Sequence, residues 1–67
     1  MNIDLNEILD GPLWQVVNTL TAIKYDVQYE CGQYCNVAPE IAAQAYEWAQ
    51  QIYDMSEAEF AAWKSEE

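Results

Sequence analysis

Cys31 and Cys35 are the residues of this chain whose type and spacing first suggest chemistry. A C-x3-C pair on a helix would set both sulfurs on one face, within reach of a metal or of each other. Zinc is normally held by two such pairs or by one pair completed with His, and the sequence contains no His. A redox motif would be C-x-x-C at a helix start, which this is not. The spacing fits two reduced thiols packed as small hydrophobes, with a local disulfide or a site shared across a dimer as the alternatives.

Other catalytic arrangements are equally thin. Without His the commonest acid–base group near neutral pH is missing, and no Ser stands in a nucleophile motif. Asp26 and Glu30, one helical turn apart, form the nearest thing to a carboxylate pair. Glycosidic chemistry needs a cleft between two such groups, so the pair reads as a solvated face. The acids lack the spacing of a calcium loop, and Gly11 and Gly32 stand alone, so no glycine-rich phosphate cradle exists. The expectation is a protein that is not an enzyme and takes no cofactor or metal.

Surfaces carry more information. Twelve Asp and Glu stand against Lys24 and Lys64, for a formal net charge of −10 with no Arg. Phosphate contacts require cations, so direct nucleic-acid binding is not expected, and an anionic membrane would repel the chain. Glu40, Glu47 and Asp54 recur every seven residues, which on a helix sets them nearly on one line about 10 Å apart. Such a ridge is either a plain solvated face or a surface that lies against a basic groove. Trp14, Tyr25 and Tyr29 fall opposite the apolar stripe of their own helix. Tyr46 and Tyr53, seven apart, flank the inward face of theirs on the side away from the acids. Rings of this kind gather at interfaces, unless short terminal helices fold over them and make them core.

The elements that must position these residues are helical. Asp4 and Glu7 have capping-box spacing with Ile3 and Ile8 as a hydrophobic staple, so a short helix begins near Asp4 and stops at Gly11-Pro12. Gly11 suits the left-handed position past that helix, and Pro12 the first turn of the next. Leu13, Val16, Val17, Leu20, Ile23 and Val27 then keep helical spacing, continuing to Cys31 and Tyr34 if the helix does. A competing pattern is the strict alternation of Ile23, Tyr25, Val27, Tyr29 and Cys31, which reads as a strand whose one nearby partner would be 33–37. Gly32 marks the helix end, with Gln33 to Ala38 as connector. Pro39 opens a third helix running to about Asp54, its inward line Ile41, Ala45, Trp48 and Ile52, with Ala42 and Ala49 at the edge. A second box, Ser56 with Glu59, and a second staple, Met55 with Phe60, start a last helix from about Glu57 to Lys64.

The reading is one acidic domain over 1–67, all-α, a small compact bundle of two longer and two short helices. Its core is thin at this length, while 52% of the chain is apolar, too much for a disordered acidic tail. The start of the chain carries acids where an export signal would carry basic residues, and no apolar run would span a membrane, so a cytoplasmic location is expected. The function expected is a protein-binding module, an inhibitor or adaptor that docks on a larger protein with a basic surface. Its sharper form imitates nucleic acid on a nucleic-acid-binding protein. Phage and mobile-element products include many proteins of this type, an analogy of type alone. The alternative is a structural homodimer whose aromatic faces pack on each other.

Overall fold

Four helices form in chain order: α1 (Leu5–Ile8), α2 (Leu13–Tyr29), α3 (Pro39–Ile52) and α4 (Glu57–Glu66). They belong to a computed structural model that describes residues 3–66; Met1, Asn2 and Glu67, the ends of the expected domain, lie outside the described residues. No strand occurs among the described residues, so the alternating pattern from Ile23 to Cys31 is not a strand. The helical period prevails because it buries Val16, Leu20 and Ile23 along one line of α2, whereas a lone strand would leave its backbone groups unpaired.

The end of α2 departs from expectation. The helix stops at Tyr29 and the left-handed residue after it is Glu30, at φ 54°, not Gly32. The N–H groups of Glu30 and Cys31 both donate to the Asp26 carbonyl, the latter at 3.0 Å, which satisfies the helix end. Gly32, at φ 81°, serves the loop beyond. There the Asp26 carboxylate accepts from the Tyr34 N–H at 3.2 Å, and it crosses the loop so closely that a Cβ on Gly32 would lie 2.6 Å from it. Val37 is buried and pins the connector to the core. Because the helix ends early, the two sulfurs do not share a helix face. Both thiols are free and Cys31 is exposed, so it does not pack as a core hydrophobe.

The other joints show how ends are satisfied. Gly11 does not take the left-handed conformation, which among the described glycines belongs to Gly32. Pro12 caps α2 from outside with extended backbone, and Glu57 supplies the missing acceptor, taking the Leu13 N–H at 2.8 Å from 44 residues away. The Ser56–Glu59 box closes in both directions, at 3.1 and 3.0 Å. Asp4 accepts instead from the Asn6 N–H at 2.9 Å, and α1 is a single turn.

The core lies between α2 and α3. On α3 the buried residues are Ala42, Ala45, Ala49 and Ile52, whereas Ile41 and Trp48 are only half-buried. The inward line is thus rotated from the expected one, and the two edge alanines are at its centre. Small residues let α3 approach the branched side chains of α2 closely, and the larger Trp48 packs sideways against α4. There it meets Trp63 edge-on at 5.6 Å and 86°. Trp63 stacks near Phe60, itself buried, and its indole N–H donates to Gln51 Oε1 at 3.1 Å. Lys64 ties α4 to the end of α1 by donating to the Leu9 carbonyl at 3.3 Å.

The Gly32 crossing is testable. Gly32→Ala adds both left-handed strain and a clash with Asp26, and the expected loss is about 1–3 kcal/mol in urea unfolding. An unchanged midpoint would mean that the Asp26–Tyr34 bridge has no part in closing the loop.

Candidate docking surface

The helix pair is covered on one side. At 100° per residue, Trp48 and Gln51 lie to one side of the buried alanine line of α3, while Tyr46 and Tyr53 lie to the other. α4 rests on the first side through Trp63 and Phe60, and α1 joins it through the Lys64–Leu9 contact. The opposite side of the α2–α3 seam is open.

Two shallow depressions run along that open seam. The first is lined by Leu13, Trp14 and Val17 of α2 together with Tyr53, Met55 and Glu57. The second is more apolar, lined by Val27 and the stem of Lys24 from α2 and by Pro39, Ala42, Ala43 and Tyr46 from α3. The start of α2 thus meets the end of α3, and the end of α2 meets the start of α3, as antiparallel helices require.

The aromatic residues singled out by sequence gather here in part. Trp14 and Tyr53 share the first depression and are 66% and 68% exposed. Tyr46 is half-buried in the wall of the second. The Lys24 ammonium lies 4.5 Å from the Tyr46 centroid and 4.9 Å from that of Tyr25, so one cation links rings of both helices across the seam. Tyr25 stacks on Tyr29, one turn on, at 6.1 Å and 9°, and Tyr29 is 64% exposed at the end of α2. The rings that the terminal helices do cover are others, namely Trp48, Phe60 and Trp63.

Glu40, Glu47 and Asp54 are all exposed on the outer face of α3, and among the described residues none has a partner. Glu40 and Glu47 lie within the helix, but α3 ends at Ile52, so Asp54 continues the row from the turn beyond. Glu47 and Asp54 follow the seam tyrosines by one residue and so point away from them, but Glu40 and Glu47 stand one turn to either side of Ala43, which lines the second depression. Glu40 and Glu47 therefore form a rim of the second depression, not part of its floor, and Asp54 lines neither depression. The other acids do not extend the row in concert: Asp26 bridges the loop, Glu57 caps α2 and Glu59 closes the box of α4.

Sequence patterns did not single out Leu13, Val17, Lys24, Val27, Ala43 or Met55 as seam residues. The available signal was the seven-residue interval from Val17 to Lys24, matched by that from Tyr46 to Tyr53. Among the described residues no group of three His, Cys, Asp or Glu side chains is placed to hold a metal ion, and no helix is long and apolar enough to cross a membrane. No family model, curated protein or solved structure matches the chain.

The exposed rings should matter little to folding. Trp14→Ala and Tyr53→Ala are expected to change unfolding free energy by no more than about 0.5 kcal/mol, while Ile52→Ala, in the core, should cost about 2–5 kcal/mol. Parallel urea titrations of the three variants check this. A large loss for Trp14→Ala would assign that ring to the fold and remove it from the surface.

Proposed function

We propose that this chain is a small acidic protein-binding module that docks through the open α2–α3 seam on a basic surface of a larger protein, as an inhibitor or adaptor. One observation carries the reading: Trp14, Tyr29 and Tyr53 are each about two-thirds exposed, whereas Phe60 is buried and Trp48 and Trp63 are half-buried against the core. Covering a ring exposed to that extent is worth roughly 2–4 kcal/mol in area alone, before ordering costs. Large rings in a wet patch are the usual anchors of a docking surface.

Charge supports the same reading. Lys64 is held against Phe60 and the Leu9 carbonyl and Lys24 against two tyrosines, so the field around the seam is set by the free carboxylates. Carboxylates on the outer face of α3 steer a basic partner toward the neighbouring seam. Imitation of nucleic acid is the less favoured form of this idea. Glu40 and Glu47 are about 10 Å apart along the helix, a length over which a duplex presents about six phosphates. The compartment that suits free thiols at Cys31 and Cys35 is a reducing one such as the cytoplasm.

The test is capture from the native host at low salt, with three baits compared in parallel: the unaltered chain, Trp14→Ala with Tyr53→Ala, and Glu40, Glu47 and Asp54 all changed to Gln. One protein with a basic surface should be retained by the first bait and lost by the second. Its association with the third should slow by roughly tenfold or more at low salt. Sedimentation at micromolar concentration supplies the counter-result: a stable dimer with Tyr25 and Tyr29 buried would replace docking by a homodimeric structural role.

A further inference from the structure

The seam has a repeat. Val17 lines the first depression and Lys24 the second; Tyr53 lines the first and Tyr46 the second. On both helices the interval is seven residues, or about 10 Å of rise. Glu40 and Glu47 keep the same interval on the rim. Both walls of the groove and its charged edge therefore share one helical period, the arrangement into which a further helix packs in a bundle.

We infer, building on the docking reading above, that the occupant is a single amphipathic helix of a basic partner protein. Its apolar residues, seven apart, enter the two depressions, and Lys or Arg at the same interval face Glu40 and Glu47. An extended peptide does not keep this register. Its same-face side chains recur at about 7 and 14 Å, which straddle the 10 Å interval. A second copy of this chain does not supply the cations: its two lysines are Lys24 and Lys64, both already held within the fold, and it brings a further formal charge of −10.

Two synthetic peptides built from the same Leu, Lys, Ala and Gln residues test the inference on the full chain. In one, the Leu and Lys rows repeat every seven residues; in the other the same residues alternate with a period of two. Binding is followed by tryptophan fluorescence and by backbone amide shifts. The seven-residue peptide should bind at least about tenfold more tightly and shift the amides of Val17, Lys24, Ala43, Tyr46 and Tyr53. Ala43→Glu, at an exposed position of the second depression, adds negative charge yet obstructs the groove, and should weaken that peptide by roughly tenfold. Equal binding of both peptides, with Ala43→Glu binding more tightly, overturns the helix inference and leaves docking on a basic surface intact. Shifts confined to α1 and α4, or a dimer that covers the seam, also overturn it. Binding of neither peptide at low salt removes the cation affinity on which the docking reading itself stands.

Discussion

Everything in this molecule follows from the close contact between α2 and the alanine face of α3. Val16, Leu20 and Ile23 press on Ala42, Ala45 and Ala49 with Ile52 at the end, and these make up most of the buried set. Alanine brings the helices together but contributes little apolar volume of its own, so the pair needs further cover. Among the described residues a one-turn α1 and a ten-residue α4 provide it. Phe60 is the single large ring they drive fully into the core, with Trp48 and Trp63 packed at its edge. Among the described residues that covering lies on one side, and the opposite side is left bare.

The acidic composition divides along the same boundary. A helical protein with few cations must satisfy helix starts and loop N–H groups with whatever acceptors it has, and here these are carboxylates. Asp4, Asp26, Glu57 and Glu59 each accept a backbone N–H, and the bond from Glu57 to Leu13 joins segments 44 residues apart. Such charge-assisted bonds also place negative charge near the positive ends of α1, α2 and α4. Their carboxylates act within the fold, whatever else they meet. Glu40 adds to the dipole of α3 without a bonded partner, and the carboxylates of Glu47 and Asp54 accept no hydrogen bond among the described residues. The net charge of −10 therefore overstates the charge free to act on a partner, and the rim of α3 is where the free part is concentrated.

Much of the fold was legible because local signals agreed with one another. Proline at the start of α3, the Ser56–Glu59 box and the stripe of α2 each name an element or its end, and the structure places them within a residue or two. What was not legible depended on contacts between distant segments. The stop of α2 at Tyr29 rests on Glu30 accepting a left-handed backbone, a choice that propensity gives to Gly32. It is allowed because Asp26 holds the following loop through Tyr34 and leaves Gly32 the tighter crossing. The rotation of α3 was hidden for a related reason. A hydrophobicity pattern ranks Ile41 and Trp48 above alanine, but helix–helix approach rewards small size at the closest point, and Trp48 finds its partner in α4. On the surface, exposure of Trp14 and Tyr29 could be read from their position opposite the stripe. The grouping of Trp14 and Tyr53 with Val17, and of Tyr46 with Lys24 and Ala43, could not, since it depends on which side α1 and α4 choose.

Trp63 and Lys64 hold that side, while Glu57 at the start of α4 reaches Leu13 at the end of the seam. The indole of Trp63 engages Trp48 and Gln51, and Lys64 reaches the end of α1, so both terminal helices are tied to one flank of α3 and of α2. Lys24 acts on the other flank in the opposite sense. Its ammonium rests on Tyr25 and Tyr46, and its stem covers the apolar floor between Val27 and Ala42. A single lysine thereby shields part of a surface that would otherwise be bare hydrocarbon and ring, and it does so with a flexible side chain that an incoming cation or apolar group can displace. The two cations of the chain thus do different work: Lys64 fastens the covered side, and Lys24 keeps the open side wetted without closing it.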